Sequence, residues 1–349
     1  MIKKKILIPL IVFSTILTTS SVYIYQMLYS PNFLINQPSK TIIIEENTDF
    51  KKLTNLLIKD TILNDVLSFS FLSKLMEYRD NIRYGAYRIK SNMSNLEVIS
   101  MLRSGNQTPI SITFAYARKM DDLAGSLTKN IKLSKKEFLN HINQNIDNLF
   151  GFNENNIIGM FLPDTYEVYW DISSQKLIEK MYKEYNKFWD NERNEKLKKI
   201  GLNIKEVSVL ASIVASETNK LDEADRIAGV YINRLRKNML LQADPTLVYA
   251  ANDYSIKRVL NKHKKIQSPY NTYINKGLPP GPIRLTPKNY IDAVLNYEEH
   301  KYLFFCAKDD FSGYHEFART LTQHNKNARK FQRALNKRKI YRWLMANMI

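Results

Sequence analysis

Three consecutive lysines, Lys3 to Lys5, are followed by a stretch from Ile6 to Ser39 that contains no charged residue. Its apolar part, Ile6 to about Leu28, matches the ~20 residues that cross a bilayer core as a helix, so residues 6–28 are expected to span a membrane. The basic residues 1–5 then stay on the cytoplasmic side under the positive-inside rule, and everything after Lys40 lies on the far side. A cleaved export signal is the competing reading. Pro9 and Thr18-Thr19-Ser20-Ser21 weaken the span, yet no Ala-x-Ala cleavage site follows. No cysteine near the apolar run could carry a lipid.

Beyond such an anchor, a chain of 349 residues has room for two domains. A hydrophobic content of 44% and a charged content of 25% fit folded, soluble domains. The net charge of +18 would attract phosphate polymers, but the lysines are spread along the chain without a patterned basic stripe. A basic exported domain equally suits anionic headgroups or acidic wall polymers. The basic segment Lys326 to Arg342, with Phe331, Leu335, Trp343 and Leu344, reads as an amphipathic helix, and no nucleic-acid partner is expected. The single cysteine, Cys306, lies in the apolar run Tyr302 to Ala307, which predicts a short buried strand and no intrachain disulfide.

After a polar linker at Asn36 to Lys40, Thr41 to Ile44 and Tyr84 to Ile89 have strand composition, and Phe50 to Leu57 and Val66 to Met76 carry helical periodicity. Ser94 with Glu97 three residues on predicts a capping box opening a helix that ends before Gly105. Residues 41–105 therefore read as a small mixed module. A strand at Ile110 to Phe114 and amphipathic helices follow, and residues 106–349 form the larger domain.

Chemistry concentrates in the second half. His141, His263, His300, His315 and His324 lack metal-ligand spacing, so no metal site or cofactor is expected. There is no Gly-rich phosphate loop, and Ser104 and Ser312 sit in no nucleophile elbow. Val207 to Thr218 predicts an apolar helix with a face through Leu210, Ile213 and Val214, and Glu217 continues that face. Burial there would raise its carboxyl pKa toward the range of a general acid at neutral pH. Periodicity alone fits equally a helix-terminal glutamate turned to water.

Ile227 to Ala250 carries Asn233 and Arg234 on a helix, a turn at Lys237-Asn238, and then Gln242, Asp244 and Thr246 around Pro245. Amides, carboxylates and hydroxyls interleaved with tyrosine suit sugar binding, where hydroxyls need polar partners and ring faces need stacking. Helix capping by Asp244 and Thr246 explains the same pattern. Tyr270, Asn271 and Tyr273, followed by Gly277 to Ile283, form a rigid Pro/Gly-rich segment, and His315 lies in Gly313-Tyr314-His315-Glu316-Phe317.

Taken in order, these segments resemble the MltG-type (YceG-like) endolytic murein transglycosylases. The resemblance rests on Phe161 to Tyr166, Ala211 to Thr218, Asn233 to Leu235, Gln242 to Thr246, Tyr270 to Tyr273, Gly277 to Ile283, His315 to Phe317 and His324-Asn325. It implies an α+β chain: one N-terminal transmembrane helix, a LysM-like module at 41–105, and a mixed α/β catalytic domain. It also implies that Glu217 is the catalytic residue. The chain departs from the family pattern at Ala215 and Ser216, where a glutamate and a lysine are usual, and near Thr113 to Tyr116, where a Glu-Gly pair is usual.

The activity so implied is cleavage of the β-1,4 bond between N-acetylmuramic acid and N-acetylglucosamine, leaving a 1,6-anhydro end. Glu217 serves as acid and base, while Asn233, Arg234, Gln242, Asp244, Thr246, Tyr270, Asn271, Tyr273 and His315 hold the sugars. The implied partners are peptidoglycan strands and the glycan polymerases whose nascent strands would be terminated. Two rivals stay open: a hydrolase using Asp244 or Asp164 as second carboxylate, and a non-catalytic wall-binding scaffold, against which an intact Glu217 motif argues.

Overall fold

A computed structural model describes residues 4–60, 62–256 and 259–346. The chain is of mixed α+β type and divides into two compact units. One runs through Ser111 and takes in two short return segments, Asn130–Lys132 and Glu167–Ile172. The other holds Ile112–Lys129, Leu133–Tyr166 and the chain from Ser173 onward.

The first unit opens with α1 (Lys4–Tyr29), a helix of 26 residues whose segment Ile6–Tyr29 is long and apolar enough to cross a membrane. Its apolar side chains are exposed until Met27, which is buried. β1 (Pro31–Phe33), β2 (Ser39–Ile44), α2 (Phe50–Lys59), α3 (Val66–Leu75), β3 (Gly85–Lys90), β4 (Met93–Ser94) and α4 (Asn95–Ser104) follow. The order strand, two helices, strand, helix read from the sequence is present, with an added β1–β4 pair.

β2 and β3 pair antiparallel from Ser39 opposite Lys90 to Ile44 opposite Gly85, and alternation buries Ile42 and Ile44 while Thr41 and Ile43 stay exposed. These residues pack with Leu53, Leu57, Phe69, Tyr87, Val98 and Leu102. Helix starts are satisfied locally: Asp49 and Asp65 accept backbone N–H groups, and Ser94 and Glu97 form the expected capping box. Buried Asn95 donates to the Met27 carbonyl at 3.0 Å, satisfying one of the acceptors left open at the end of α1.

The remaining elements are β5 (Ile110–Phe114), α5 (Met120–Thr128), α6 (Lys135–Asn145), β6 (Asp164–Val168), α7 (Ser174–Phe188), α8 (Asn191–Ile200), α9 (Ile204–Glu217), α10 (Ala224–Arg236), α11 (Asp244–Ala251), α12 (Lys288–Leu295), β7 (Phe304–Ala307), β8 (His315–Ala318) and α13 (Leu321–Ala346). α9 is the central helix of the second unit. Every residue from Val207 to Ala215 is buried, beneath α10, α11 and α12. The sequence pointed to a single apolar face, but small residues close the other sides: Ser212 accepts from the Ile283 N–H at 3.0 Å, and the Ser208 carbonyl accepts from Thr286 Oγ1 at 3.2 Å.

β7 is a strand as expected but is half-buried, not buried, and Cys306 lies in a cavity wall. α13 covers the basic segment and contacts β7 and β8, with Phe331 5.9 Å from Phe311. The side chains of Trp343 and Leu344 fall outside the described residues.

Candidate active site

α9 delivers Glu217 in its last turn, after which Thr218 turns extended and the chain leaves the core. The Glu217 side chain is half-buried, and its Oε1 accepts a 2.6 Å hydrogen bond from the hydroxyl of Tyr231 on α10. Burial pushes the Glu217 carboxyl up from 4.5 to about 7. The Tyr231 hydroxyl and the Arg234 charge oppose that rise, and the Asp244 charge adds to it. A carboxyl so placed can both give and take a proton near neutral pH.

Two cavities meet at this carboxylate. One, of about 640 Å3, is lined by Tyr116, Arg118, Tyr249, Tyr254 and Arg284; the other, of about 390 Å3, by Tyr231, Arg234, Gln242, Tyr273, His315 and β7. Glu217 and Asp244 line both. A chain-like substrate can therefore pass across the carboxylate with a unit on either side.

Of the residues expected to hold sugars, Arg234, Gln242, Asp244, Tyr273 and His315 reach these cavities. Asp244 Oδ1 accepts from the Tyr273 hydroxyl at 2.5 Å. Gln242 sits at φ +50°, a left-handed backbone that strains a residue with a Cβ by about 1 kcal/mol or more, and its N–H donates to the Thr272 carbonyl at 3.0 Å. Buried Arg234 donates to the carbonyls of Leu303 at 2.6 Å and Leu241 at 2.7 Å, tying α10 to the β7 segment.

The other expected residues line neither cavity. Asn233 donates to the carbonyls of His300 (2.7 Å) and Tyr302 (3.1 Å). Thr246 is fully buried and shares a 2.8 Å hydrogen bond with Thr272. Asn271, also fully buried, donates to the Ile266 carbonyl at 2.8 Å, and the Tyr270 ring packs 4.7 Å from Tyr249. Thr246, Tyr270 and Asn271 thus fix the segments that carry Gln242, Asp244 and Tyr273, whereas Asn233 ties α10 to the segment before β7. Asp164 likewise lines neither cavity and is ion-paired with Lys288, whose hydrogen bond holds its carboxyl below the usual range.

Sequence reasoning passed over Glu223, Tyr231, Tyr116, Arg118 and Arg284. Glu223, only 4% exposed, accepts from Thr218 Oγ1 at 2.8 Å and from the His315 N–H at 3.1 Å, and its Oε1 lies 2.7 Å from His315 Nδ1. That contact sets His315, at the start of β8, beside the end of α9. No periodicity marks such a pair, because its members lie 92 positions apart.

A protein-family model described as the YceG-like family matches residues 42–330. The chain is similar to the endolytic murein transglycosylase of Bacillus subtilis (strain 168), at 29% identity over 333 residues, covering 89% of this chain and 91% of that relative. It is also similar to the endolytic murein transglycosylase of Streptococcus pneumoniae serotype 2 (strain D39), at 26% identity over 358 residues covering 93% of this chain. The chain spans 64% of that streptococcal relative's length. A crystal structure of a YceG-like protein from Listeria monocytogenes superposes with a TM-score of 0.50 at 25% identity, covering 83% of this chain and 99% of the other. With most of its length matched in this way, the chain belongs to the YceG-like family.

Proposed function

We propose that the chain is an endolytic lytic transglycosylase that cuts peptidoglycan glycan strands, with Glu217 as both acid and base. The observation that carries this reading is a carboxyl pushed up to about 7 where two cavities meet. Protonated Glu217 gives its proton to the oxygen of the β-1,4 bond between N-acetylmuramic acid and N-acetylglucosamine as the bond to C1 breaks. The resulting carboxylate takes the proton of the muramyl C6 hydroxyl as that oxygen closes on C1. The product is a 1,6-anhydro end, with no water consumed.

Gln242, Asp244, Tyr273, Arg234 and His315 hold the sugars of one cavity, and Asn233, Thr246, Tyr270 and Asn271 hold the segments that present them. α1 anchors the chain in the cytoplasmic membrane with the catalytic unit on the extracytoplasmic side. Residues 41–105 serve as a LysM-like glycan-holding module, and the activity terminates nascent strands beside their polymerases.

Asp244 lines both cavities with Glu217, which favours one second reading, a two-carboxylate hydrolase. Product mass separates the two: digestion of purified sacculi gives anhydro ends lighter by one water under the lyase reading and reducing ends under the hydrolase reading.

A further inference from the structure

The larger cavity contains two arginines for which the proton-transfer chemistry has no use. Arg118 and Arg284 flank the Tyr116 ring, their guanidinium carbons 5.7 Å and 4.6 Å from its centroid, and Arg118 also lies 4.0 Å over Tyr254. Arg118 Nε donates to the Tyr116 hydroxyl, and Arg284 Nη1 donates to the Ala215 carbonyl at 3.0 Å. Neither forms an ion pair among the described residues, and Arg284 Nε is buried without a protein partner. Burial lowers the Arg284 guanidinium from its usual range, and the neighbouring Arg118 charge lowers it further.

Two like charges held side by side without a direct ion pair, although Glu217 and Asp244 line the same cavity, favour an anion that joins them. The planar forks on aromatic faces and the orphaned N–H suit a carboxylate, which accepts charge-assisted hydrogen bonds from two directions. The same cavity wall holds Glu217 and Ala215, so an anion seated there belongs to whatever substrate lies across the carboxylate.

We propose that Arg118 and Arg284 bind a carboxylate on the peptide branch that extends from the muramyl lactyl group of the glycan strand. This rests on the glycan-cleaving function proposed above. The cavity then selects strands by their branches, while Glu217 acts on the backbone.

The test compares wild type, Arg118→Gln and Arg284→Gln on native strands and on strands whose carboxylates have been converted to amides with carbodiimide and ammonia. For wild type, amidation is expected to raise KM about tenfold with kcat nearly unchanged. Arg118→Gln is expected to show that rise already on native strands and to respond less than about twofold to amidation. Arg118 is half-exposed, so this variant carries the test even if Arg284→Gln fails to fold. Equal responses of wild type and Arg118→Gln to amidation overturn the proposal. So does inhibition by inorganic phosphate that is equally strong on native and amidated strands, which marks a general anion site only.

Amidase-stripped strands, which carry a free lactyl carboxylate and no peptide, identify the source. Sensitivity to Arg118→Gln is expected to disappear there with the peptide carboxylates; if it persists, the site takes the lactyl carboxylate that only a stripped strand exposes, and the peptide proposal is overturned. Affinities of native and amidated strands for the Glu217→Gln variant repeat the comparison without turnover. Absence of any soluble product from wild type thus refutes the glycan-cleaving reading while leaving the arginine site separately decided.

Discussion

The Tyr231 hydroxyl donates a 2.6 Å hydrogen bond to Glu217 Oε1 from a ring that is itself buried between α10 and β7. Burial drives the carboxyl up, and this donor holds it back, so that the balance falls at about 7. Tyr231→Phe keeps the ring and removes the donor. The alkaline limb of kcat/KM against pH is expected to move to higher pH in this variant, with a loss at neutral pH of less than about tenfold. A limb that stays in place or moves to lower pH would show that the hydrogen bond does not tune the acid.

The same carboxyl makes folding stability depend on pH. Between 4.5 and about 7 the folded state keeps the Glu217 proton and the unfolded state releases it. The folded state therefore binds more protons, and stability falls as pH rises through that window, by up to ~3 kcal/mol before discounting for partial exposure. Glu217→Gln removes this term. Urea unfolding should find the variant more stable than wild type at pH 8 by roughly 1–3 kcal/mol, with the gap closing by pH 4. A gap that does not change with pH would remove the burial argument.

Glu223 joins the end of α9 to β8 through Thr218 and His315. Glu223→Gln preserves shape but loses the charge facing the imidazole and leaves one acceptor replaced by a donor. It is expected to destabilise the protein by ~1–3 kcal/mol and to raise KM more than it lowers kcat, since His315 lies in the wall of the smaller cavity. Thermal unfolding and steady-state kinetics check both parts.

Two glycines in the Pro-rich loop separate lack of space from backbone strain. A Cβ on Gly281 would lie 1.8 Å from the Asn155 carbonyl oxygen, whereas one on Gly277, at φ +82°, would meet nothing within 4 Å. Gly277→Ala should cost about 1 kcal/mol through its left-handed backbone alone. Gly281→Ala should cost ~2–4 kcal/mol and disturb the Ile283 contact to α9. Equal losses in the two variants would contradict the packing described here.

Much of the first unit is legible from local signals. Ser94 and Glu97 cap α4 within four residues, and Thr41 to Ile44 has the composition of the strand it forms, although three successive isoleucines do not state which side of β2 is buried. The placement of Glu217 was legible only in part. Its helix was readable, but burial of the side opposite the apolar face was not, because Ser208 and Ser212 there are closed by partners in the loop near Ile283 and Thr286. Thr246 and Asn271 have the composition of sugar ligands, yet their polar atoms close hydrogen bonds inside the loops, and a sequence does not state which partner a hydroxyl or amide takes. The arginine cluster was illegible because Arg118 and Arg284 stand far apart in the chain and are brought together by the Tyr116 ring and by the Leu285 N–H bond to the Ala117 carbonyl.

In the proposed mechanism one carboxyl performs both proton transfers without water. Mass spectrometry of the soluble products from purified sacculi tests it most directly, run side by side for wild type and Glu217→Gln. Wild type is expected to give 1,6-anhydro ends, and the variant no product above background. Products heavier by one water, or a variant that digests sacculi at near the wild-type rate, would contradict that mechanism.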